Sequence, residues 1–521
     1  MPAFTAQGKV MAQLSELTLR RPGSPCGRRA GSHTRQWALW FVPLLLMCVA
    51  WTFATPMFAP PDEAAHVYRA AAIGRGQLSG KAVRTPLGSL NQVRVPGTYG
   101  RLSDASACFT NRPDVPADCA RRVADDAANR PALTIAGRYP PLYYLLVAPA
   151  TRLFSPSVSV YVMRLVTSVV CAAFYALAFV SAQSVGRWTI LGVAAAATPF
   201  ALSIGSVVNP NGLEIASAAV LWTGAAAMAT RRSLDNRLLA FAAVGFAVFA
   251  NMRSLSVPLA LLSLGFAVSL AGRDRLRTFY RQPAFRRWSV LVVVSTIIAV
   301  AWAGLFGRFS SGAHIYDLSL VEAIARTWSL FGQSVAWFGL YTPIGPHHID
   351  RGEVHVLAAI VIWFLLWSVL SAIGFVFGSR RRRLILGVLL LTSVVLPIVV
   401  SVVLRPIPIG SSWQGRYSLP LWIGLPIVAG VIGSTSPKRL PIRGWALVGF
   451  GLAFVAGQLV AFAAAARRYS VGAHGDVLYF LHPQWSGPVP PSLLLVVLLT
   501  ASVALTWRVV TCPVPTRRAG A

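Results

Sequence analysis

Charge is scarce in this chain, and one sign dominates what there is. Only 12% of the 521 residues are Asp, Glu, Lys or Arg, sixteen of them acidic, and lysine occurs three times, at Lys9, Lys81 and Lys438. With 55% hydrophobic residues and a mean hydropathy of +0.61, that scarcity excludes an ordinary soluble domain and indicates a multi-span membrane protein. There is no metal-type Cys/His spacing and no internal repeat. No Gly-containing motif follows a strand and opens a helix, so no phosphate loop is read from them.

What charge there is sums to +31, which on a soluble protein would suggest nucleic acid. Here the arginines stand in short clusters between apolar runs, at Arg231/Arg232, Arg273 to Arg287, Arg380 to Arg383, Lys438/Arg439 and Arg517/Arg518. That is the pattern of cytoplasmic loops and needs no polyanion. The N-terminal stretch carries Arg20, Arg21, Arg28, Arg29 and Arg35 ahead of an apolar run over 37–58, long enough for the ~20 residues of a spanning helix. A signal peptide has a similar basic lead, but "TPMFAPPDE" offers no small-residue cleavage site. A retained helix is therefore expected, behind a disordered basic cytoplasmic tail over 1–36.

Further apolar segments lie near 141–154, 158–182, 188–207, 213–230, 238–252, 254–271, 288–306, 354–377, 384–404, 416–433, 444–463 and 491–510. With the first they make thirteen candidates. Both termini inside require an even number of crossings, so one candidate fails to cross. It is either 141–154, which is short and contains Pro149, or 188–207 as a re-entrant segment. The expected architecture is an all-α polytopic membrane domain over 37–511 with about 12–13 transmembrane helices. It carries a large exported first loop over 59–139, a second over 307–353, and a cytoplasmic tail over 512–521. Cys108 and Cys119 are the only cysteines in an exported loop, and an oxidising exterior favours a disulfide between them.

The stretch "APPDEAAHVYRAAAIGRGQL" over 59–78 places two acids just past the first apolar run. Pro61 suits a first helical position, Asp62 and Glu63 suit the positive end of a helix dipole, and Gly76 suits its end. Helix initiation explains the acids but not His66, which at i+4 from Asp62 and i+3 from Glu63 shares their face. A carboxylate beside an imidazole at a membrane surface suits a general base, or part of a metal site facing a lipid-linked phosphate.

Four motifs in order, "PPDEAAHVYRAAAIGRGQL", "YPPLYY" within 138–154, "NPNGLEIA" at 209–216 and "QGRYSLP" at 414–420, resemble a bacterial family of predicted polytopic membrane proteins of unassigned function. That family is allied with the C-type glycosyltransferase superfamily (GT-C). The resemblance implies an inverting glycosyltransferase that takes a sugar from a polyprenyl phosphate and delivers it to an envelope glycan or glycoconjugate on the exported face of the plasma membrane. By resemblance Asp62 is the base or metal ligand, with Glu63 in reserve and His66 beside them. The family's second acid has Asn211 in its place, with Glu214 one turn on, which puts a two-carboxylate metal site in doubt. The cofactor stays open between none and a divalent cation. Asn209, Asn211 and Tyr143 are carried over as substrate-binding positions.

Transfer with inversion needs one base and cationic help for the departing phosphate. The exported cations near the bilayer are Arg253, Arg405 and Arg416. Arg253 interrupts two apolar segments where an arginine is costly, and a snorkelling residue is the alternative; for Arg416 the alternative is a structural ion pair. Tyr139, Tyr143 and Tyr144 suit either sugar stacking or an interfacial aromatic belt. His347, His348 and Asp350 would need further ligands to hold a metal, and 325–341 reads as a helix lying at the exported surface. The competing function is a transporter, flippase or non-catalytic scaffold for lipid-linked saccharides. The few charges within the spans and the absence of an inverted repeat count against it.

Overall fold

The computed structural model describes residues 33–85, 88–110, 112–231, 233–306, 319–336, 353–400, 413–437 and 442–512. The described chain begins with α1 (His33–Ala54) and passes into a long loop that holds α2 (Glu63–Ile73). Within that loop β1 (Lys81–Thr85), β2 (Gly88–Pro96) and β3 (Asn129–Thr134) form a three-stranded antiparallel sheet in the order β1-β2-β3, with α3 (Gly97–Ser106) after β2. Gln92 pairs with Lys81 on one side and Leu133 on the other. The fold is otherwise helical, so this sheet is an addition to the all-α expectation.

The short α4 (Leu142–Val147) leads to α5 (Pro156–Gln183), α6 (Arg187–Ala196), α7 (Pro210–Thr230), α8 (Asn236–Ala250) and α9 (Ser256–Ser269). There the chain bends by 110° into α10 (Arg273–Tyr280). After α11 (Pro283–Phe306) come α12 (Leu320–Val335), α13 (Glu353–Phe377), α14 (Arg380–Ile398), α15 (Gly415–Trp422), α16 (Gly424–Thr435), α17 (Gly444–Val471) and α18 (Pro491–Thr511). Among the described residues eight helices are long and apolar enough to cross a membrane, or nine if α9 and α10 count as one broken span. The helical, multi-span expectation holds; its count of 12–13 came from hydropathy, which does not separate a helix facing lipid from an apolar segment buried in protein. Segment 141–154 is two short helices around Pro149, and 188–207 is broken at Ala197 and Thr198, so neither spans as one helix.

A break inside an apolar layer frees carbonyls that must be satisfied. Here the Ala195 carbonyl accepts from the indole nitrogens of both Trp363 and Trp367 at 2.8 Å. The Ala197 carbonyl accepts from the Gln458 amide at 2.9 Å. Thr198 caps the next turn, from Pro199 to Ile204, through the Ala201 N–H. Helix α6 crosses α16 at backbone contact: a Cβ on Gly192 would lie 2.3 Å from the Pro426 carbonyl, and one on Gly430 2.3 Å from that of Trp188. At the centre α7 is buried throughout and packs on α5, α8, α9 and α16. In contrast, α11 leaves Val290, Ile297 and Val300 exposed, as a lipid-facing helix would.

The outer loop is closed by a Cys108–Cys119 disulfide and held to the bundle by Arg468 of α17. Its guanidinium donates to the carbonyls of Phe109, Arg112 and Val115.

Candidate functional site

Four breaks in regular structure meet at one place: the turn before α2, the N-terminus of α7, the turn between α8 and α9, and the start of α15. Pro61 does not open α2 as expected. Asp62 takes a left-handed conformation (φ 59°) and the helix starts at Glu63; Phe58 is left-handed too (φ 61°). Such conformations cost of order 1–3 kcal/mol each and persist only where neighbours hold them. Glu63 accepts the Phe58 N–H at 2.9 Å, and the Asn209 amide donates to the Pro61 carbonyl at 3.0 Å.

The two acids have opposite surroundings. Glu63 has no exposed side-chain surface; it receives Arg164 of α5 through two nitrogens, at 2.7 and 2.5 Å, and the Val208 N–H at 3.0 Å. Arg164 spends its remaining donors on the Thr52, Thr55 and Pro56 carbonyls. Glu63 is thus bound on both carboxylate oxygens. Asp62 keeps 32% of its side chain open and pairs with Arg416, which also donates to the Tyr417 hydroxyl at 3.2 Å. Burial alone would raise the Asp62 carboxyl, but Arg416 and Arg253 outweigh it and hold it below the ordinary carboxylate range.

Arg253 lies over the Tyr417 ring at 3.9 Å and beside that of Tyr139 at 5.8 Å. Behind it, Glu214 is 3.9 Å away and accepts from Ser256 and from the Asn211 amide, each at 2.6 Å. Asn211 therefore orients an acid instead of replacing one, and Asn209 caps α7 through the Asn211 N–H. The His66 backbone N–H donates to the Asp62 carbonyl at 3.1 Å, but its imidazole turns from the carboxylate, and Nδ1 pairs with the Tyr144 hydroxyl at 2.8 Å. Burial first, then Arg416 and Arg253, push the imidazole down to about 3, so it is neutral near pH 7. Tyr143 is buried with its hydroxyl on Thr167 and its ring edge-on to Tyr144, one layer behind. Arg405, His347, His348 and Asp350 lie outside the described residues. Among the described residues no three His, Cys, Asp or Glu side chains gather as metal ligands. A single partly open carboxylate paired to one guanidinium and flanked by another does not fit a divalent cation.

A family model described as a predicted membrane protein, DUF2142, matches residues 45–425. The chain belongs to that family. All four sequence motifs fall inside the matched stretch, as do Asp62, His66, Arg253 and Arg416. No curated protein matches. Among solved structures, ArnT from Cupriavidus metallidurans, bound to undecaprenyl phosphate, matches at 14% identity and a TM-score of 0.41, over 91% of this chain and 77% of that one.

For this DUF2142 member, sequence reasoning missed Arg164, Tyr417 and Arg69. Arg69 donates to the carbonyls of Leu78 and Tyr139 at 2.8 Å and so sets where Tyr139 stands. An arginine inside the apolar run of α5 was the available signal for Arg164, since such a charge implies a buried partner. The helix expected over 325–341 runs over Leu320–Val335. Its end is built into the bundle instead of lying on the surface: Gln333 accepts the Gly415 N–H at 3.1 Å and Ser334 donates to the Gly415 carbonyl at 3.0 Å.

Proposed function

We propose that this protein is a membrane glycosyltransferase that moves a sugar from a polyprenyl-phosphate donor to an envelope glycan or glycoconjugate on the exported face. The observation that carries the reading is the partly open Asp62 carboxylate, paired to Arg416 and flanked by Arg253, in a site whose other charged groups are buried. Two guanidinium groups suit a phosphate, which they can grip through planar forks. Tyr139 and Tyr417 beside them suit a sugar face. The four motifs resemble the GT-C pattern, in which an acid of the first exported loop is the base.

In this scheme the donor phosphate competes with Asp62 for Arg416. As Arg416 turns to the phosphate, Asp62 loses its closest cation and its affinity for a proton rises. The acceptor hydroxyl then gives its proton to Asp62 while its oxygen bonds to the anomeric carbon. The bond from that carbon to the phosphate oxygen breaks, and the polyprenyl phosphate leaves with its electron pair, its charge held by Arg416 and Arg253. A single displacement inverts the anomeric centre. Neutral His66, tied to Tyr144, packs and orients the turn without adding a third positive charge.

The test is single-turnover transfer by purified protein in nanodiscs, offered a panel of polyprenyl-phosphate sugars and an envelope extract. Product from wild type and none from Asp62→Asn supports the enzyme. Saturable binding of a lipid-linked sugar with no product from any donor would instead make the chain a carrier or scaffold.

A further inference from the structure

We propose that a second site, at the far end of α7, holds one acyl chain of an anionic phospholipid whose headgroup rests on the arginines of α10 and the start of α11. Residues Asn211 and Met228 belong to the same helix, so this site is roughly 25 Å from Asn211 at 1.5 Å rise per residue. It does not depend on the glycosyltransferase reading.

A cavity of about 420 Å³ opens there between α7, α8, α9, α10 and α11, within the range of roughly 300–1,000 Å³ for small-molecule sites. Its walls are almost wholly apolar and include Met228, Leu239, Leu264, Phe285 and Trp288. Two further lining residues, Leu261 and Val293, are 46% and 55% exposed, so the cavity opens sideways, where a chain can enter from the bilayer. A Cβ on Gly265 would meet nothing within 4 Å, leaving a slot along α9.

The 110° bend between α9 and α10 supplies the rest. Helix α10 turns across the end of the bundle, puts Leu276 and Phe279 into the cavity wall, and leaves Arg273 and Arg277 exposed. Residues 273–287 hold six arginines and a single acid, Asp274. Arg281 and Arg287 are exposed too, while Arg286 folds back on the Tyr280 carbonyl at 3.1 Å and Arg277 lies 3.9 Å from Asp274 at the surface. Arg275 is spent on the Ala229 carbonyl, and the Trp288 indole reaches Asn236 at 2.9 Å, an interfacial position for the ring. Apolar walls under a rim of one charge sign match a molecule with an apolar tail and an anionic head. A basic pocket between helices at the membrane edge is the physical form such recognition takes.

The experiment is native mass spectrometry of the full-length protein, titrated with phosphatidylglycerol or with phosphatidylcholine of the same chains. Wild type should retain one phosphatidylglycerol about tenfold or more tightly than phosphatidylcholine. Arg277→Gln with Arg281→Gln should remove that preference, and Gly265→Leu, which fills the slot, should weaken both lipids. Equal retention of the two lipids by wild type would overturn the proposal. So would an unchanged preference in the arginine variant, unchanged retention in Gly265→Leu, or displacement of the lipid by millimolar inorganic phosphate. The arginine changes are on the surface, so their outcome stands whether or not the glycine variant folds.

Discussion

Asp62 and Arg416 form an ion pair across 354 residues of sequence, and the acid is the more exposed partner. In the proposed mechanism a donor phosphate opens this pair. Asp62→Asn is therefore expected to reduce transfer by about 10²–10⁴-fold, the usual range for a lost general base, while donor binding stays at least as tight because Arg416 is released. Donor titration alongside single-turnover transfer checks both halves; undiminished transfer would remove Asp62 from the mechanism.

Arg253 sets its guanidinium carbon 3.9 Å from the centre of the Tyr417 ring, and lysine keeps the charge but not the guanidinium's planar fork. Arg253→Lys should raise the apparent KM for donor about tenfold with a smaller change in kcat. A change confined to kcat would place Arg253 outside the donor site.

Glu63 and Arg164 are both fully buried. Removing one member of such a pair leaves an uncompensated charge and costs about 3–5 kcal/mol. Glu63→Gln should lower the thermal midpoint in detergent sharply, and Glu63→Leu combined with Arg164→Met should recover part of the loss. Retained stability with lost transfer in Glu63→Gln would return Glu63 to the chemistry.

His66 titrates near 3 in the folded protein, against an ordinary 6.5. Its neutral form is the one the fold accepts, so its contribution to stability is complete above pH 6.5 and falls away as pH drops towards 3. Wild type should lose stability between pH 6.5 and 4 faster than His66→Asn. Parallel pH profiles for the two would show that His66 is not the group responsible.

The Cys108–Cys119 disulfide reports on orientation. If the outer loop faces the exterior, an impermeant maleimide added to intact cells should label these two after mild reduction and leave the buried Cys48, Cys171 and Cys512 unlabelled. Cys108→Ser should cost about 2–4 kcal/mol.

The membrane class, the helical character and the neighbourhood of Asp62 are legible in residues that are adjacent or one helical turn apart. What stays hidden depends on distance along the chain. Nothing near Glu63 names Arg164, 101 residues on, as the partner that removes it from the open site. Hydropathy reads 188–207 and 288–306 alike, yet the first is a broken helix inside protein and the second mostly faces outward. The sheet escapes notice because its strands carry Arg84, Arg94 and Arg130 among few apolar residues.

The Arg468 clamp sets an order of assembly. The carbonyls it holds in the disulfide loop, such as that of Val115, leave the ribosome 353 residues before it does. At about 5–20 residues per second that is a delay of roughly 20–70 s. During that interval the disulfide loop lacks this clamp, and a chain cut short before α17 would leave the Phe109, Arg112 and Val115 carbonyls without their guanidinium. Fixing the disulfide loop in place is thereby tied to synthesis of α17, far downstream.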